Sequence, residues 1–465
     1  MDSAGISKIK EEATVLVENL NNRGILSNFD VIQRLKKTLP AVIQYNLKSE
    51  LSQIKDALRN YLSKELEPDG YDSYVQVCAL LKRHNSQFTK AENVAFYKLI
   101  MERFTREAKR VIDNKDKHLH SVLALGKELA QFYSKQQQFD KADSVLNAMI
   151  DALLASDPNM PALRKASLLR NMVVDVRNMG RKNVLERLSK LLQDNAPHIK
   201  EEMGEISIPF NIPVDLVESD YNNMMDGLST DERMMKFAFG FVPRDNQYDS
   251  YAKQFMEETE SLSLFNFFIF RDDGSLSHKV GPGEENKEEQ YQYACSFSLR
   301  YLTVSLHLIL IKGIEKGLFS VDNVMNYISR ATSLSEKRIR IIEKGIRAFL
   351  DEDYVSSISI LIPQIEFMIR LLYQIHGYTV TDNDKIGTTS DALGTLLEKD
   401  DIKIEDINIS RYLRLMLSQK TGWNMRNLYC HGITESFGML HADRVFHIVL
   451  LMATLLLPEG EEKTE

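Results

Sequence analysis

A chain of 465 residues is too long for one ordinary core, and its length implies roughly two to four units. Its 43% hydrophobic and 27% charged residues are those of a folded globular protein, with no low-complexity tract. The formal net charge of −8 excludes a general nucleic-acid coat, which needs Lys and Arg to neutralise phosphate, but leaves room for a local basic pocket.

The first residues, Met1 to Glu12, lack the apolar core of a signal peptide. The longest apolar run, Ile448 to Leu457, is far short of the ~20 residues a bilayer demands and reads as a buried helix. Cys78, Cys295 and Cys430 are odd in number, far apart and in no ligand spacing, as expected of free thiols in a reducing cytoplasm. No membrane partner is expected. His118 and His120, two apart on a helical stretch, face away from each other and make no zinc site.

From residue 6 to about 195 apolar residues recur at three and four positions, as in Leu123, Leu129, Phe132 and Tyr133, predicting helices throughout. Leu129, Ala130 and Tyr133, then Phe139 to Ala142, Leu146 and Met149, resemble one tetratricopeptide-type hairpin, in which Ala130 and Ala142 would let the helices approach. No second copy follows at that period, so one more pair in an irregular bundle is the competing reading. Asn195, Pro197, Gly204, Pro209 and Pro213 break the pattern and mark a boundary. Beyond it Asp231 to Phe239 suits a helix. Leu264 to Phe270 followed by Asp272-Asp273-Gly274-Ser275 predicts a strand and turn, the makings of a lone hairpin packed on helices. Gly281 to Asn286 reads as a surface loop, with helices resuming near Glu288.

A helix is predicted from Ser356 to His376, with Ile360, Leu361, Ile365, Met368, Ile369 and Leu372 on its apolar face and Gly377 as its stop. Glu366 and Arg370, four apart, share a face. An acidic connector spans Thr379 to Asn408, a short helix starts near Asn424 and breaks at Gly432, and a last helix covers about Ala442 to Leu456. The expected organisation is mostly α: an irregular helical domain at 1–195, a connecting helical region with a small hairpin at 196–320, and a helical bundle at 321–465.

The chemistry concentrates in Thr421-Gly422-Trp423-Asn424-Met425-Arg426-Asn427-Leu428-Tyr429-Cys430-His431-Gly432. Arg426 is a permanent planar cation suited to a phosphate, and His431 exchanges a proton near neutral pH, a pair suited to phosphodiester chemistry without a metal. Asn427 and His431 share a helix face, and Arg426 sits near a helix start. On spacing alone a capped helix with a hydrogen-bonded core histidine is an equal reading. Glu366 is expected either to orient Arg426 or His431 or simply to pair with Arg370. Trp423 and Tyr429 either stack on a base or belong to the core. Cys430 has no group besides His431 to activate it as a nucleophile, and His441 and His447 read as surface or interface residues.

At these residues the sequence resembles the HEPN superfamily of helical-bundle proteins, whose hallmark is Arg, a polar residue, a few more residues and His. More narrowly, Ile362 to Arg370 with Gly377, then Asn424-Met425-Arg426-Asn427 and His431-Gly432, resemble a HEPN-related family still labelled a domain of unknown function. The likeness covers about residues 350 to 457, with Asp231 to Pro243 as its upstream part. It implies a metal-independent, cofactor-free endoribonuclease with Arg426, Asn427 and His431 in the motif positions and two protomers pairing through the C-terminal bundle. It equally implies the alternative of an inactive member that binds RNA, a nucleotide or a partner protein. Many HEPN relatives serve in antiviral defence or as toxins. For residues 1–195 the sequence offers only a helical domain, open to a protein partner.

Overall fold

A computed structural model of the chain describes residues 3–22, 27–63, 71–114, 119–203, 213–258, 267–383, 388–390, 393–398 and 407–458. The fold is mostly α, and it divides into two compact units, Met1–Glu202 and Met203–Glu465. The division falls at 202/203 rather than at the expected 195/196, because α9 continues through Asn195 and Pro197 to Glu202; Gly204 and Pro209 lie outside the described residues. Residues 213–320, expected as a connecting region, share one hydrophobic core with the helices that follow.

The first unit consists of α1 (Ser3–Asn21), α2 (Asn28–Gln44), α3 (Lys48–Ser63), α4 (Tyr71–Arg83), α5 (Lys90–Asn114), α6 (Leu119–Lys135), α7 (Phe139–Ser156), α8 (Ala162–Asn178) and α9 (Lys182–Glu202). Each is amphipathic, so each must bury one stripe against a neighbour. The suspected hairpin is α6 and α7, and both Ala130 and Ala142 are fully buried in it. It does not stand apart: Arg181, just before α9, clamps Asp143 of α7 through Nε at 2.7 Å and Nη2 at 2.8 Å. One core runs from Ala13 to Leu188, as in an irregular bundle. The sequence position His118 lies outside the described residues.

The second unit begins with α10 (Val214–Met225), α11 (Thr230–Gly240) and α12 (Asp245–Glu258). Ser229 and Glu232 close a reciprocal capping box on α11, satisfying two N–H groups that a helix start leaves without partners. Strands β1 (Phe267–Phe270) and β2 (Leu276–Val280) form the expected antiparallel hairpin, turning at Gly274 with φ 79°. Leu264 to Asn266, expected in its first strand, lie outside the described residues. Phe267 packs on Tyr293 of α13 (Lys287–Glu315), with ring centroids 5.4 Å apart.

Next come α14 (Val321–Ser329), α15 (Glu336–Leu350) and α16 (Tyr354–Ile375). Within the acidic connector a second small sheet, β3 (Thr381–Asn383) with β4 (Thr388–Ser390), and α17 (Leu393–Glu398) were not anticipated, because strands of three residues carry no readable alternation. Tyr373 Oη donates to the Leu396 carbonyl at 3.2 Å and ties α17 to α16. The chain ends with α18 (Ile407–Leu417), α19 (Met425–Cys430) and α20 (Met439–Leu455). Every residue of α20 from Ala442 to Thr454 is buried, polar ones included, and α11, α13, α14, α15 and α16 pack around it. By length and composition α13 and α16 each contain a window apolar enough to cross a bilayer; here both pack on α20, and α16 carries Glu366 and Arg370 midway.

Candidate functional site

The motif hangs from the end of α18. The backbone N–H of Trp423 donates to the Leu415 carbonyl at 2.8 Å, folding the chain sharply back, and Gly422 lies so close that a Cβ there would collide with the Leu415 backbone. Asn424 then takes a left-handed conformation, φ 53°, which Asn tolerates better than most residues, and its Oδ1 accepts from Asn427 Nδ2 at 2.7 Å. Met425 anchors α19 in the core with no exposure.

The other end of α19 is closed by a Schellman arrangement. Gly432, at φ 63°, lets its N–H reach the Tyr429 carbonyl at 3.2 Å and the Ile433 N–H reach the Leu428 carbonyl at 2.8 Å. That closure fixes His431 as the capping residue, exposed on the surface. The break expected at Gly432 is thus also what orients the histidine.

Five side chains meet there. Glu366 of α16 accepts from Arg370 Nη2 at 2.8 Å on one oxygen and from Arg426 Nε at 3.0 Å on the other. Arg426 Nη1 in turn reaches His431 Nε2 at 3.0 Å and Asn427 Oδ1 at 3.2 Å. Both roles considered for Glu366, partner of Arg370 and orienter of Arg426, hold at once. An arginine has no acceptor, so the 3.0 Å contact makes Nε2 the acceptor and leaves the ring proton on Nδ1. Two guanidiniums against one carboxylate leave a positive excess, and the three side chains remain 18–23% exposed.

Burial works against ionisation of Glu366, but the hydrogen bonds and charges of Arg370 and Arg426 outweigh it and hold the carboxyl below its usual range. Burial pushes the Cys430 thiol up despite the pull of Arg426, so it remains protonated and unsuited to attack. Among the described residues no group of three His, Cys, Asp or Glu could hold a metal ion.

The two aromatic residues of the motif pack on the core with other rings as partners. Trp423 meets His441 edge-on at 5.0 Å, and Tyr429 lies 4.9 Å from Phe437. Tyr429 Oη also donates to the Ser436 carbonyl at 3.1 Å, and Asp272 in the turn of the β1–β2 hairpin accepts from Thr434. The hairpin therefore braces the loop that follows the motif.

His447 is a correction. It is fully buried in α20 rather than on the surface, with Nδ1 2.9 Å from Tyr412 Oη. Beside it Arg444, also with no exposure, donates to Thr303 Oγ1 at 2.9 Å, Tyr412 Oη at 3.1 Å and the carbonyls of Leu299 and Phe241 at 3.3 and 3.4 Å. His307 Nδ1 lies 2.8 Å from Asp443. Sequence reasoning passed over this network, although Asp443, Arg444 and His447 in a largely apolar helix were a signal that partners had to exist.

Comparison with family models, with curated proteins and with solved structures gave no match.

Proposed function

We propose that this chain is a metal-independent endoribonuclease of the HEPN type. The observation that carries the reading is the relay from half-buried Glu366 through Arg426 to exposed His431, which puts an anchored cation and an imidazole ring in direct contact. RNA supplies its own nucleophile, the ribose 2′-hydroxyl, so cleavage needs a base for that proton, an acid for the 5′-oxygen and cations for the phosphorane. Arg426 and Arg370 stabilise the phosphate, Asn427 steadies Arg426, and His431 exchanges its contact with Arg426 for the 2′-hydroxyl. Because Nε of Arg426 stays on Glu366, the exchange is a side-chain motion only.

One chain offers one such histidine, so a symmetric partner would supply the complementary acid or base, and products would end in 2′,3′-cyclic phosphate. This reading makes the C-terminal bundle a homodimer interface, the N-terminal helices a place for a protein partner, and the cytoplasm the compartment of a defence or toxin effector.

A second reading, an RNA- or nucleotide-binding scaffold without turnover, is favoured by the arginine that already occupies Nε2 of His431. Labelled RNA incubated in excess EDTA separates the two. Wild type is expected to cut RNA and leave DNA intact, and both His431→Ala and Arg426→Ala to stop cutting. Cleavage that requires magnesium, or that survives both substitutions, overturns the nuclease reading; tight binding without cutting supports the scaffold.

A further inference from the structure

A partly exposed stripe of α16 leads from the Arg426–His431 cluster to a second basic surface. Pro363, Glu366, Phe367, Arg370 and Gln374 recur at three- and four-residue spacing on that stripe, while Ile365, Met368, Ile369 and Leu372 point into the core. Glu366 and Arg370 face α19. Phe367, one step around the helix, faces α15, where the Arg338 guanidinium lies over its ring at 4.0 Å from the centroid.

α15 runs antiparallel to α16: Gly345 abuts Ile360 and Leu361, and Arg338 reaches Gln364 with Nη1 at 3.0 Å. The first turn of α15 is therefore level with Glu366 and Arg370. That turn exposes Lys337, and Arg340 follows with only a loose pairing to Glu336 at 3.6 Å, both side chains at least three-quarters exposed. Neither Lys337 nor Arg338 makes an ion pair among the described residues. A charge fixed against an aromatic face beside a phosphate-type site is the pattern that takes single-stranded RNA, because phosphates meet cations while bases stack on guanidinium or ring planes.

We infer that Lys337, Arg338 and Phe367 form a subsite for the nucleotides flanking the scissile bond of single-stranded RNA. Lys337 takes a neighbouring phosphate. Arg338, backed by Phe367 on one face, presents the other to a base. The inference rests on the ribonuclease reading for which bond is cut, yet it concerns binding and is measured separately from cleavage.

The whole chain carrying His431→Ala, which leaves RNA intact, is titrated with a labelled single strand of about 12 nucleotides and with a dinucleotide. Adding Lys337→Glu with Arg338→Glu is expected to weaken the longer strand on the order of tenfold and the dinucleotide far less. The slope of log affinity against log salt should become shallower by roughly one for each cation removed. Arg338→Lys keeps the charge and should keep the salt slope while losing several-fold in affinity, because an ammonium offers no flat face. The subsite is overturned if the longer strand's affinity and salt slope are unchanged, if both ligands lose equally, if no variant binds RNA, or if an acidic peptide binds this surface in preference to RNA. The ribonuclease reading fails on a different result, intact RNA with wild type in EDTA.

Discussion

The arginine–histidine pair at the surface of the second unit and the one in its central helix differ in almost everything except composition. Arg426 and His431 touch at the surface, anchored by a carboxylate, whereas Arg444 and His447 are sealed in the central helix with Tyr412 between them. The sealed arginine is met by neutral oxygens of Thr303, Tyr412, Leu299 and Phe241, and burial first, then Arg444, pushes the His447 pKa well below its ordinary value. That ring stays neutral through the physiological range and has no route to a substrate. Solvent access and a charged anchor, not residue type, separate a place where chemistry can occur from one that holds helices together.

The largest difference should appear in rate. Removing the imidazole by His431→Ala is expected to lower RNA cleavage by about a hundredfold to ten-thousandfold, as for loss of a general base, while stability stays within roughly 0.5 kcal/mol because the side chain is exposed. His447→Ala inverts this, lowering stability by about 2–3 kcal/mol through a buried void and a Tyr412 hydroxyl proton left without its acceptor, the oxygen still held by Arg444. Cleavage assays on protein folded to the same extent, with urea melts beside them, test the pair; equal effects of the two substitutions would erase the contrast.

Next in size is Arg444→Met. It removes a buried cation but abandons the acceptors it satisfied, and a loss of about 3–5 kcal/mol in unfolding free energy is expected. Neutral or raised stability in the denaturant midpoint would show that desolvation of the guanidinium outweighs its four hydrogen bonds. Gly422→Ala should cost about 1–3 kcal/mol, since the Cβ has only the rigid Leu415 backbone to push against. Its effect on RNA cleavage should exceed that of a comparably destabilising core substitution such as Ile328→Val, at a fully buried position of α14, because the displaced turn carries α19; matching rates would show that the turn does not set the site.

Much of this was legible. The period of the apolar residues announced the helices, the Asp-Asp-Gly-Ser turn announced the hairpin, and the apolar run near the C-terminus announced a buried helix. Arg426, Asn427 and His431 were readable as a group because local spacing alone brings them together. What spacing cannot convey is the link across 60 residues from Glu366 to Arg426, since a salt bridge with Arg370 explains that glutamate equally well. Trp423 and Tyr429 were ambiguous for the same reason: whether a ring meets solvent or Phe437 and His441 depends on the loop that returns over it. His447 was misjudged, and Asp443 and Arg444 were passed over, because partners on α13, α18 and the end of α11 lie far away in sequence.

The smallest effect tests the carboxylate that makes the exposed pair unlike the buried one. Glu366 titrates below its usual value near 4.5 in the folded chain, so its ion pairs contribute stability above that pH, and the contribution fades as pH falls through the lowered folded value. Glu366→Gln removes the charge and keeps the shape. With the side chain still partly solvated, the cost at pH 7 should be about 1 kcal/mol, and the gap between wild type and variant should close in acid, below the ordinary carboxylate range. Cleavage should fall by roughly tenfold, less than on removing His431, because Arg426 keeps its charge but loses its fixed direction. Denaturant midpoints of both proteins from pH 7 down to about pH 3 decide the matter. A gap that does not change with pH would mean that Glu366 acts through packing, and the anchored cation would then be no better defined than any surface arginine.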